Sequence, residues 1–89
     1  MERTPLCILI LNICYAEPDG VCRVDIDDHL SAYHDLMDGS ATTLAIQQLF
    51  AERLLAVDFT EKDYCLYRIT EAGKSRRRRA IFTAFAEAL

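Results

Sequence analysis

The sequence predicts a small, mostly helical α+β domain, and three observations carry that reading. Apolar residues recur three and four positions apart in several stretches, as they do on helices with one buried face. Two runs rich in aromatic and branched residues, Leu55–Phe59 and Tyr64–Ile69, read as strands. Few Gly and Pro, with 52% apolar and 27% charged residues, exclude a disordered chain. At 89 residues the chain is one domain, 1–89, with limited stability to spare. Its high apolar share suits a subunit or partner interface as well as a core.

The first helix is expected from about Pro5 to Ala16. Thr4 can cap it, and Pro5 stands at the first helical position, where a missing N–H costs nothing. Leu6, Ile8, Leu9, Ile10, Leu11 and Ile13 leave almost no polar face, so this helix is buried on more than one side. Pro18-Asp19-Gly20 makes a turn. Val21 to Ile26 alternates enough to predict a short strand, and Asp25 or Asp27 can cap a second helix from Asp28 to about Met37. Leu30, Tyr33, Leu36 and Met37 are the buried stripe of that helix.

Asp38-Gly39-Ser40 breaks the pattern. Gly39 can take the left-handed conformation and Ser40 can cap a third helix, Ala41 to about Leu54. Ile46, Leu49 and Phe50 form its inner face; Leu44, Gln47, Gln48 and Ala51 lie opposite. Thr60-Glu61-Lys62-Asp63 links the two strands as a four-residue hairpin loop. Thr70 then caps a last helix, Glu71 to about Ala88, with Ile81, Phe82, Phe85 and Leu89 as its apolar stripe.

Charge is unevenly spread. Net charge is −4, with thirteen acids against six bases in residues 1–75 and four consecutive arginines, Arg76 to Arg79, after them. Any polyanion site must therefore be local. The four cysteines show no C-x-x-C spacing, and neither His29 nor His34 has a cysteine at zinc-finger distance. Cys7 and Cys14 read as small core hydrophobes, and free buried thiols fit a reducing cytoplasm. His29 and His34 read as surface histidines. Asp25, Asp27 and Asp28 lack the Gly and terminal Glu of a calcium loop and suit helix capping instead. No metal or cofactor is expected.

Leu6–Cys14 is too short to span a bilayer. Glu2 beside Arg3, the interruption at Asn12 and the lack of an A-x-A-like site argue against a secretory signal. No nucleophile elbow, phosphate loop or H-E-x-x-H appears, and enzyme activity is not expected.

Two helices joined by a short Gly-containing turn and followed by a β-hairpin resemble the winged helix-turn-helix transcriptional regulators of bacteria and phages. The resemblance is strongest from Ser40 to Lys74. There "SATTLAIQQLFAERLLAVDF" looks like a recognition helix entering a wing, and "YCLYRITEAGK" is similar to the wing's second strand with its Y-x-L-T-x-x-G ending, matched at Tyr67, Ile69, Thr70 and Gly73. It implies a helix-turn-helix at about 26–54, a wing at about 55–69 and an extra C-terminal helix at about 71–88.

By that resemblance the third helix enters the major groove of double-stranded DNA. Thr42 and Thr43 would meet phosphate or a thymine methyl, and Gln47 and Gln48 would pair with adenine. Lys62, Arg68, Arg76, Arg77, Arg78 and Arg79 would contact phosphates, and Ile81, Phe82, Phe85 and Leu89 would form a homodimer interface matching a palindromic site. A repressor of transcription is the implied role. The sequence departs from the pattern in carrying five acids and one base, Arg53, over residues 26–54. That composition also suits an interaction module that blocks a basic, nucleic-acid-binding protein. In general character the chain is similar to small acidic phage inhibitors such as anti-CRISPR proteins.

Overall fold

A computed structural model describes residues 5–32, 39–59 and 65–88. It is a mostly helical α+β domain: α1 (Pro5–Ala16), α2 (Arg23–Leu30), α3 (Gly39–Ala51), β1 (Leu55–Phe59), β2 (Cys65–Ile69) and α4 (Glu71–Ala88). The α1 helix is the hub, packing against α2, α3, α4 and β2. Its fully buried residues Cys7, Ile10, Leu11 and Cys14 follow three-, one- and three-residue steps, which keep them on one helical face. Around them sit Ile26 and Leu30 of α2, Ile46 and Leu49 of α3, and Leu55 and Ile69 of the hairpin. Both buried cysteines carry free thiols, as core hydrophobes should.

Gly20 ends the turn after α1 with φ +108°, and a Cβ there would lie 2.9 Å from the Leu66 Cβ. No L side chain suits both conditions. Val21 then pairs with Tyr67 in one antiparallel bridge, its N–H donating to Tyr67 O at 3.0 Å and its carbonyl accepting the Tyr67 N–H at 2.8 Å. The strand expected over Val21–Ile26 stops there. Helix α2 starts at Arg23, and Cys22, not Asp25 or Asp27, is its N-cap.

Residues three and four apart decide this in favour of helix. The Cys22 thiol donates to Asp25 Oδ2 at 3.3 Å, Arg23 pairs with Asp27 at 3.0 Å, and Ile26 stands one turn from Leu30. The second helix therefore begins five residues before its expected start. It ends at Leu30, where Ser31 and Ala32 form a turn. Tyr33, Leu36 and Met37 lie outside the described residues.

Gly39 is the first residue of α3 and not a left-handed breaker, and Ser40 lies within the helix. The Gly39 carbonyl accepts from Thr43 Oγ1 at 3.0 Å and from Arg23 Nη2 at 3.1 Å, which secures this end of α3. At the other end Arg53 takes φ 60°, with Leu54 N–H donating to Leu49 O at 2.8 Å and Arg53 N–H to Phe50 O at 2.9 Å. These two bonds form a Schellman ending with arginine where glycine is usual.

Strands β1 and β2 pair antiparallel, Leu55 opposite Ile69 and Phe59 opposite Cys65. Phe50 packs edge-on to Tyr67, ring centres 5.6 Å apart, and ties α3 to this hairpin. The expected loop Thr60–Asp63 lies outside the described residues. Thr70 caps α4 as its sequence position suggests: its hydroxyl accepts the Gly73 N–H at 3.0 Å and donates to Arg53 O at 2.8 Å. Gly73 is required by close approach, since a Cβ there would fall 2.2 Å from Leu54 O.

Candidate nucleic-acid interface

Helix α3 turns Thr43, Leu44, Gln47 and Ala51 to solvent. Thr42, expected beside them, is 2% exposed and belongs to the core. Its place follows from helical spacing: Ala45, Ile46 and Leu49 lie three, four and seven residues on, all buried. Gln48 is half-buried, beside Leu6, Ala41, Leu44 and Ala45 along a groove of about 280 Å³ between α1 and α3. Gln47 is thus the fully exposed glutamine of the pair.

Thr43 is held in place. Its hydroxyl donates to Gly39 O and accepts from Arg23 Nη1 at 3.0 Å, so Arg23 spans from α2 to the first turn of α3. The same guanidinium meets Asp27 at 3.0 Å, which neutralises much of its charge. Helix α3 itself contains no basic residue. Arg68 is paired as well, to Asp58 Oδ2 at 2.9 Å across the hairpin. Hydrogen bonding to Arg68 holds the Asp58 carboxyl below its usual range, and Asp58 raises Arg68 in turn. Lys62 lies outside the described residues.

The four arginines divide into one and three. Arg77 points inward: Nε donates to Asn12 Oδ1 at 2.6 Å, and its guanidinium carbon lies 3.9 Å from the centre of the Tyr15 ring. It fastens α4 to α1, a structural contact that the sequence reading of this residue as a phosphate ligand did not include. Arg76, Arg78 and Arg79 are exposed and make no ion pair or hydrogen bond to any described residue. They form a local cluster of positive charge, without an ion-pair partner among the described residues, on an otherwise acidic chain.

Beyond them, Ile81 is 44% and Phe82 73% exposed, and every described side chain of α4 from Ile81 onward faces solvent. The side chain of Phe85 and the residue Leu89, expected to share that stripe, lie outside the described residues.

Asn12 and Tyr15 were missed by pattern reasoning. The signal was present, because a lone amide in so apolar a helix needs a partner. The burial of Thr42 was equally legible from its spacing to Ala45, Ile46 and Leu49. No described helix is long and apolar enough to cross a membrane. Comparison with protein-family models, with curated proteins and with solved structures found no match for this chain.

Proposed function

We propose that the chain is a winged helix-turn-helix regulator that binds double-stranded DNA as a homodimer and represses by occupying its site. One observation carries this reading. Val21 pairs beside β2 of the hairpin, so the path runs helix, one-residue strand, two helices, hairpin and helix, which is the order of a winged helix. Thr43 and Gln47 are then the base-facing residues of α3, and Arg76, Arg78 and Arg79 supply phosphate contacts. Ile81 and Phe82 join two copies.

Enrichment from a random duplex pool, followed by footprinting, tests the proposal. A short palindrome is expected, with Gln47→Ala relaxing the preference and affinity falling steeply as salt rises. Retention of no duplex even at low salt rejects it.

A second reading has its own support. Leu44 is 65% exposed beside the groove of Leu6, Ala41, Ala45 and Gln48, on a helix without a basic residue. Such a surface suits a protein partner, with the domain acting as an interaction module that blocks a basic nucleic-acid-handling protein. This reading expects one protein recovered from lysate without DNA, and Leu44→Glu abolishing the recovery.

A further inference from the structure

Phe82 stands exposed among arginines. With each residue turning α4 by about 100°, Arg78, Phe82, Arg79 and Arg76 follow one another around the helix within an arc of about 160°. Arg77 lies about 100° before Arg78, facing α1, where Asn12 and Tyr15 hold it. The outer face thus presents three guanidinium groups without a described partner and one aromatic ring, 73% exposed, in their midst.

Charge selects a polyanion as the occupant. The distribution of apolar groups selects which kind. A helix that lies on an anionic membrane segregates its apolar residues opposite its cations. Here Phe82 falls inside the cationic arc, and Ile81 lies about 100° away on the side of Arg77. A protein partner would want an apolar centre, and among the described side chains the arc offers a single ring. Alternating phosphates and bases match cations interleaved with an aromatic face, the combination that holds unpaired nucleic-acid strands.

We propose that the outer face of α4 binds single-stranded nucleic acid, with phosphates on Arg76, Arg78 and Arg79 and one base stacked on Phe82. The proposal shares these arginines with the duplex reading and parts from it at Gln47, which it does not use, and at Phe82, which the homodimer would cover and this reading leaves open to a base.

The chain contains no tryptophan, so a Phe82→Trp variant carries a single indole reporter on this face. Titration of that variant with a twelve-residue oligothymidylate is expected to quench the indole. By anisotropy of the labelled strand, Phe82→Leu should lower affinity about tenfold. Arg78→Ala and Arg79→Ala should each weaken it and reduce the salt slope by about 0.7. Circular dichroism checks that each variant folds. Absence of quenching, an indole blue shift with phosphatidylserine vesicles in place of quenching, or equal affinity of Phe82→Leu overturns the proposal.

A duplex of the same length separates the two claims. Duplex binding that depends on Gln47, with no single strand retained, leaves the duplex reading standing and removes this one. Strand binding that depends on Phe82, with no duplex retained, does the reverse.

Discussion

Arg77 and Asn12, 65 positions apart, are joined by a 2.6 Å hydrogen bond that fastens the last helix to the first. The Tyr15 ring lies 3.9 Å from the same guanidinium. A charge-assisted bond and a cation–π contact, both partly exposed, together contribute about 1–3 kcal/mol. Arg77→Ala should therefore lower unfolding stability by about that amount in urea titrations. Arg76→Ala, which removes a solvated side chain, should change it by no more than about 0.5 kcal/mol. Equal losses for the two variants would contradict the inward role of Arg77.

Arg53 adopts the left-handed conformation at the end of α3. Its backbone groups make the bonds that matter there, so glycine keeps them and relieves the Cβ penalty. Arg53→Gly should stabilise the fold by about 0.5–1 kcal/mol, read from the urea midpoint. The opposite sign is expected at Gly73, where a methyl group would strike the Leu54 carbonyl. Gly73→Ala should cost about 1–3 kcal/mol.

Cys14 is buried, and desolvation pushes its thiol up to about 12 from the ordinary 9.0. Above pH 9 the unfolded chain releases this proton while the folded chain keeps it. The stabilising contribution is thus complete below pH 9 and is lost as pH rises toward 12, by at most about 1.4 kcal/mol per pH unit. Stability curves of the wild type and Cys14→Ala, compared between pH 8 and 11, should diverge in slope. Parallel curves would remove Cys14 from the alkaline behaviour. A thiol reagent should modify Cys22 and Cys65, both half-buried, well before Cys7 and Cys14.

Asp58 owes its depressed carboxyl pKa first to the hydrogen bond from Arg68. The associated stabilisation is present above the ordinary carboxylate range and is lost as pH falls through the lowered folded value. Arg68→Ala should return the Asp58 side-chain NMR titration midpoint upward to the ordinary range. An unchanged midpoint would show that the pair does not persist in solution.

The helices were legible where one face is strongly apolar. The α1 and α4 boundaries, the two strands and the inner face of α3 all follow from periodicity and from the Thr70 cap. The start of α2 was not legible. Val21, Val24 and Ile26 look like part of a strand, yet the contacts that make a helix there are local and polar: Cys22 with Asp25 and Arg23 with Asp27. Gly39 misled for a related reason, because its carbonyl is satisfied by Arg23, sixteen residues away, and pattern alone shows no such partner.

In the candidate site, composition located the arginine cluster. It did not separate Arg77 from its neighbours, because that division depends on which side of α4 meets Asn12 and Tyr15.

Amide NMR during titration with an enriched duplex tests the central claim most directly. Binding through the proposed α3 and α4 surface is expected to shift Thr43, Gln47, Arg76, Arg78 and Arg79 together, and to leave the α1 core unmoved. Saturating duplex that leaves the α3 resonances in place would contradict it.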